Sequence, residues 1–205
     1  MDSISQMALG AAVGVAVMGR SVSPWRAATW GAVCGTLPDL DVLIDHGDAV
    51  RSMTLHRAET HALFFLSVAS PVIAAGIAGL HRQRELFARW WLAVWLALVT
   101  HPLLDTMTVY GTQLGRPFSD HPYGVGSVFI IDPLYTLPLL LGLGRTLFGA
   151  RFRPGWNHAG LVLSSAYLIW GVVVQQQVRG EARIALREQG IAPEHLLVSP
   201  TPFNS

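Results

Sequence analysis

Ala88-Arg-Trp-Trp-Leu-Ala-Val-Trp-Leu-Ala-Leu-Val-Thr-His-Pro-Leu-Leu-Asp105 is the stretch on which the reading of this chain turns. Its apolar character carries on to Tyr110, giving the roughly 20 residues that a bilayer's hydrocarbon core demands of a helix. Yet His101 and Asp105 stand at its far end. Four residues apart on a helix, the two side chains share one face and can grip one ion. Ionisable groups at or near bilayer depth are expensive and are normally retained for a task. The stretch therefore predicts a membrane helix with a chemically equipped end.

Composition agrees. The 205 residues are 51% hydrophobic and 13% charged, with a mean hydropathy of +0.41, where a soluble domain carries about 25% charged residues. One membrane-embedded domain over residues 1–178 is expected, followed by a short polar tail over 179–205 that reads as a polar helix ending at Gly190 and then an extended, Pro-containing stretch. The net charge of +1 leaves no footprint for nucleic acid. All 14 basic residues are Arg, which excludes a Schiff-base lysine or a Walker-type phosphate lysine. Cys34 is the one cysteine, reads as a packing residue, and allows no internal disulfide. Met-Asp-Ser-Ile-Ser-Gln lacks a basic leader, so no cleavable signal peptide is expected.

About six apolar helices follow from the Arg, Pro and Gly breaks: Ile4–Gly19, Trp25–Leu37, Thr60–Leu80, Ala88–Tyr110, Pro133–Phe148 and Asn157–Val178. The fold class is an all-α polytopic membrane bundle. The first two helices are short and carry Gly10, Gly14, Gly31 and Gly35, small residues that permit close approach. They form either a packed spanning hairpin or a re-entrant one. The turns after the first, third and fifth helices hold Arg20, Arg26, Arg82, Arg84, Arg89, Arg145, Arg151 and Arg153 against a single acid, Glu85. By the positive-inside rule those turns are cytoplasmic, which puts His101 and Asp105 on the extracytoplasmic side. Arg179, Arg183 and Arg187 in the tail run against that assignment, softened by three Glu. Trp25, Trp30, Trp90, Trp91 and Trp156 fall near the Arg-rich boundary and read as an interfacial belt.

Further candidate ligands sit at helix ends on the side of His101. Asp39 and Asp41 follow Pro38, an arrangement that offers oxygens to one or two cations or merely stops a helix. His56 and His61 bracket Arg57 and Glu59, five residues apart, which suits a turn leading into a helix with Thr60 as its N-cap. Glu59 reads as a general base or as a carboxylate that supports a ligand from behind, and Arg57 as an anion-binding group. Asp132 before Pro133 is a helix N-cap, a metal ligand, or both. Arg116 and Tyr110 share the outer loop and could orient an anionic substrate. Asp45, His46 and Asp48 read as a solvated loop, and His81, His121, His158 and His195 as non-ligands.

At these residues the chain resembles a bacterial family of membrane-bound metal-dependent hydrolases, typified by the YdjM inner-membrane protein. The resemblance rests on Met1 through Gly14, Gly-Thr-Leu-Pro-Asp-Leu-Asp41, His56 through His61, Thr100 through Tyr110, and Pro117 through Pro138. It implies a helical membrane-embedded fold, a multi-pass location in the bacterial inner membrane, and hydrolase chemistry with no named substrate. Many relatives carry His where this chain has Gln6, and Gly and Ser where it has Ala58 and Ala62. The His-x-x-x-Asp element is also similar to that of zinc-dependent phospholipase C and P1-type nucleases, which suggests phosphoester substrates.

The expectation is thus a metal-dependent hydrolase whose ligands come from Asp39, Asp41, His56, His61, His101, Asp105 and Asp132. Imidazole mixed with carboxylate suits Zn, or else Mn, and such an ion lowers the pKa of its water. Glu59 would handle protons, and Arg57 or Arg116 would steady negative charge. An amphiphilic, lipid-like substrate fits a site at the membrane surface. The rival is a transporter or non-catalytic metal-binding membrane protein, which would place its ligands near the midplane beside broken helices or repeats.

Overall fold

The computed structural model describes residues 1–43, 47–48, 57–194 and 196–201. Among these, six α-helices make up the regular structure: α1 (Ser3–Met18), α2 (Pro24–Thr36), α3 (Leu63–Leu80), α4 (Phe87–Asp105), α5 (Pro133–Phe148) and α6 (Pro154–Glu188). Short 3-10 turns cover Leu37–Leu43, Glu59–His61 and Arg84–Leu86. An isolated bridge, Thr112 to Tyr123, pins the long connection between α4 and α5. The all-helical expectation holds.

Among the described residues, three stretches are long and apolar enough to cross a membrane: Leu63–Leu80, Arg84–Asp105 and Pro154–Glu188, of 18, 22 and 35 residues. The others are shorter, with 16 residues in α1, 13 in α2 and 16 in α5. At about 1.5 Å rise per residue, α2 is only about 20 Å long, well short of a hydrocarbon core.

The short pair is held by glycine. A Cβ built on Gly31 would sit 2.2 Å from the Gly10 carbonyl oxygen, and one on Gly14 would sit 2.4 Å from that of Ala27. The backbones of α1 and α2 therefore touch, as small residues allow. The same device joins α5 to α6, where a Cβ on Gly160 would lie 2.5 Å from the Pro138 oxygen. Polar side chains add cross-links between the helices. Asn157 Nδ2 donates to the Ala12 carbonyl at 2.8 Å, while Trp91 and Trp95 donate to Ser70 and Ser67.

Several boundaries depart from the sequence reading. Helix α3 begins at Leu63 with Ala62 as its N-cap, and no side chain caps it. Thr60 is not a cap because the chain makes a separate 3-10 turn there. Helix α4 ends at Asp105, five residues early, because Thr106, Met107 and Thr108 close successive turns onto Pro102, Leu104 and Asp105. Helix α6 runs unbroken past Val178 to Glu188, since Ala, Glu, Leu and Arg there are good helix formers; it stops before Gly190, whose φ is 74°. Trp90 is 1% exposed and donates to Gln83, so it belongs to the core and not to an interfacial belt.

The alternation of six helices puts the start of α1, the end of α2, the start of α3, the end of α4 and the start of α5 at one end of the bundle. Stability should follow the glycine contacts. Gly31→Ala should destabilise the detergent-solubilised protein by about 1–3 kcal/mol through overpacking. Gly76→Ala, where a Cβ meets open space, should be neutral or slightly stabilising in a thermal melt. Equal melting temperatures for the two variants would refute the close crossing.

Candidate metal centre

Four ionisable side chains from three elements meet at that end of the bundle. Asp39 comes from the 3-10 turn after α2, His61 from the 3-10 turn before α3, and His101 and Asp105 from the last turns of α4. His61, His101 and Asp105 are at most 1% exposed, and the Asp39 side chain, at 24%, marks the opening.

The distances form a compact figure. His101 Nε2 lies 3.1 Å from His61 Nε2 and 3.2 Å from Asp39 Oδ1. His61 Nε2 lies 3.5 Å from Asp39 Oδ1 and 3.4 Å from Asp105 Oδ2. His101 Nε2 lies 3.5 Å from Asp105 Oδ2. Five of the six edges of a tetrahedron are thus nearly equal. All four ligand atoms lie within 4.8 Å of one another, a spread that one divalent ion bound by imidazole and carboxylate can bridge.

Hydrogen bonding fixes which atoms face the centre. His101 Nδ1 is 2.6 Å from the Gly35 carbonyl oxygen, which can only accept, so Nδ1 carries the proton and Nε2 presents a lone pair. Thr60 Oγ1 donates to Asp41 Oδ2 at 2.7 Å and so accepts from His61 Nδ1 at 3.0 Å. That leaves His61 Nε2 as a second lone pair. Asp105 Oδ2 is buried and accepts no hydrogen bond. Two imidazole lone pairs and two carboxylate oxygens therefore point at one spot, an arrangement that repels itself unless a cation or a proton lies between them. The residues fit a divalent metal.

A second ring of contacts orients the four. Asp41 Oδ2 also accepts the Arg57 amide at 3.1 Å, and it reaches His61 through Thr60. Such carboxylate-to-imidazole relays set the tautomer and basicity of a metal-binding His. Arg57, at a left-handed φ of 66°, lies 3.6 Å from Asp105 Oδ1 with Nη2 and stacks 5.5 Å from the Tyr110 ring. Gln6 Nε2 donates to Asp105 Oδ1 at 3.1 Å and to the His101 carbonyl at 3.2 Å. The Met1 amino group also contacts Asp105 Oδ1.

Charges respond to this packing. Burial works to raise the pKa of Asp39, but the adjoining His101 and His61 rings, which favour its charged form, outweigh it and hold the carboxyl well below the usual range. Burial works to lower that of His61, yet the Asp105 and Asp39 carboxylates, which a second proton on Nε2 would face, raise it above the ordinary imidazole value. A proton on His61 is thus the natural stand-in for a metal.

The other candidates are placed elsewhere. Asp41 stands one hydrogen bond behind His61, outside the four. Asp132 caps α5, accepting from the Leu134 and Tyr135 amides and from the Tyr167 hydroxyl at 2.7 Å. Glu59 is 71% exposed and pairs with Arg116 at 3.5 Å; neither joins the cluster. His56 lies outside the described residues, as do Asp45, His46 and His195. Thr60 was legible only as a helix cap, because it is not a metal-ligand type; Gln6 was marked by the family resemblance, since many relatives carry His there.

A helical bundle able to enter a membrane, with a buried His/Asp cluster at one end, is thus the class of protein in hand. The chain belongs to the YdjM inner membrane protein family, whose profile matches residues 1–178. It is 24% identical to the uncharacterized protein YfhP of Bacillus subtilis over 208 residues, covering 98% of this chain and 62% of that protein. It is 35% identical to the inner membrane protein YbcI of Escherichia coli over 109 residues, covering 52% of this chain and 62% of that one. The chain therefore spans about three fifths of the length of these relatives. No solved structure matches it.

Two outcomes test the geometry. Asp41→Asn should weaken metal affinity by about 10–100-fold, the usual effect of losing an outer partner, whereas Asp132→Asn should leave affinity unchanged; isothermal titration with Zn on the purified protein reads both. Below the raised pKa of His61 a proton competes with the ion, so affinity should fall about tenfold per pH unit there and level off above it. Affinity that stays flat across that range would contradict the tautomer assignment.

Proposed function

We propose that this chain is a membrane-embedded metal-dependent hydrolase acting on an ester or phosphoester of an amphiphilic substrate. The observation that carries the reading is the buried, compact set of two imidazole and two carboxylate donors with no sulfur among them. Such N/O sets suit Zn, and then Mn, in hydrolytic sites, while structural zinc clips favour Cys. Zn is the first choice because imidazole nitrogen and carboxylate oxygen are its usual donors in hydrolytic sites. When bound, the ion supplies Lewis acidity toward a water and toward the oxygen of the bond to be cut.

The chain's own residues supply the rest. Asp39, the one partly exposed ligand, lies at the opening where substrate enters. Asp41 and Thr60 hold the His61 ring and its proton. Arg57, fixed against Asp105 and Tyr110, brings a guanidinium to the cluster where negative charge would develop. Glu59 and Arg116 sit one step out at the rim, suited to exchanging protons with solvent and to meeting an anionic head group. The end of the bundle opposite the cluster carries Arg20, Arg26, Arg82, Arg84, Arg89, Arg145, Arg151 and Arg153. That asymmetry supports an extracytoplasmic site in an inner-membrane protein.

One observation favours a second reading, a non-catalytic metal site or one step of a transporter: four protein donors already fill a tetrahedral ion. Catalytic zinc keeps a position open, or expands to five-coordinate. Activity on a panel of lipid phosphoesters decides between them. For the hydrolase, a chelator abolishes turnover and added Zn restores it, and Arg57→Gln keeps the metal but lowers kcat by about 10²-fold. Fully metal-loaded protein that is inert on every ester and phosphoester lipid tested would favour the second reading.

A further inference from the structure

We infer that the groove beside the metal centre seats one hydrocarbon tail of a zwitterionic phospholipid, with its head at the rim. The inference deepens the hydrolase reading and rests on it only for the fate of the head group. A cavity of about 380 Å³ opens on the bundle flank beside the site. Its apolar floor is Leu66, Ala69 and Ile73 of α3 with Leu98 of α4. Leu66, Ala69 and Ile73 are spaced i, i+3, i+7 and so line one helix face. Leu98 lies one turn below the ligand His101.

The groove's upper end is tied to the centre. Pro38, Glu59 and Thr60 line it there, and Pro38 and Thr60 immediately precede the ligands Asp39 and His61. From Leu66 to Ile73 the helix rises about 10 Å, the length of roughly eight extended methylenes. Helix α3 is among the most apolar segments, with a mean hydropathy of 2.1 and only 28% of its residues buried. A concave strip on such a lipid-facing helix is open sideways to the bilayer.

The rim sets the level and the head group. Phe64, Phe65 and Phe118 are 45%, 39% and 81% exposed and stack edge to face, with centroids 5.5 and 5.4 Å apart. Exposed aromatic rings beside a membrane helix belong at the head-group layer. A second, polar cavity of about 360 Å³ shares Glu59 and Phe65 with the groove and adds Arg116 and Asp120. One guanidinium set among two carboxylates complements a head that carries both signs: a phosphate for Arg116 and an ammonium for Glu59 and Asp120. An anionic head without an amine would leave both carboxylates facing it.

Photolabelling tests the assignment. The metal-loaded full chain is placed in phosphatidylcholine-free vesicles of phosphatidylglycerol doped with phosphatidylethanolamine that bears a tail diazirine. Labelled peptides should concentrate on Leu66–Ile73 and around Leu98. Ala69→Trp, and the milder Ala69→Leu, should reduce that labelling severalfold while metal content and melting temperature hold. Val72→Trp, on the 73% exposed face of α3, should leave it unchanged. Labelling spread evenly along α3, or indifferent to Ala69→Trp, overturns the groove. Equal labelling from tail-diazirine phosphatidylglycerol overturns the zwitterionic head. A wild type that binds no metal sinks the hydrolase reading, yet the label map still decides the groove.

Discussion

Four lone pairs aimed at one buried point are the constraint around which this end of the bundle is arranged. Gly35 holds the His101 ring from one side and Thr60 holds the His61 ring from the other, so both Nε2 atoms turn inward. Asp39 and Asp105 complete the set. With neither proton nor metal between them, these acceptors repel one another in a place that water reaches poorly. The raised pKa of His61 and the depressed pKa of Asp39 express the same tension. A divalent cation resolves it, and the donor set is of the kind that holds one.

The fold supplies this arrangement by geometry more than by local preference. Glycine contacts bring α1 and α2 together backbone to backbone, which carries the α2 terminus and Asp39 inward over α4. The same closeness brings Gln6 of α1 against Asp105. Ending α4 at Asp105 frees the chain to turn, and that turn places Thr108 and Tyr110 against Arg57. A reader who follows these links can trace a run of small residues in the first helices to the spacing of metal ligands in the fourth.

Much of this was written in the sequence, and the rest was hidden for definite reasons. The His101–Asp105 pair could be read from helical spacing within an apolar run, and the glycine hairpin from its four small residues. Asp39 and Asp41 could not be told apart, since residues i and i+2 on a tight turn diverge and only the folded turn says which points inward. Asp132 offered two roles, and Pro133 behind it already signalled the cap it forms. Glu59 looked like a base because it sits between two histidines, but a 3-10 turn sends it outward to Arg116. Thr60, a relay between Asp41 and His61, drew attention only as a helix cap. The helical character of the tail up to Gly190 was legible too; what polarity hid is that it continues α6 without a break, because charged residues lower hydropathy without breaking a helix.

X-ray absorption at the metal edge of the purified protein addresses the central claim most directly. The geometry calls for about four nitrogen and oxygen neighbours at about 2.0 Å, with imidazole scattering from two of them. A sulfur shell, a hydrated six-oxygen ion, or protein that retains no metal after purification would contradict it.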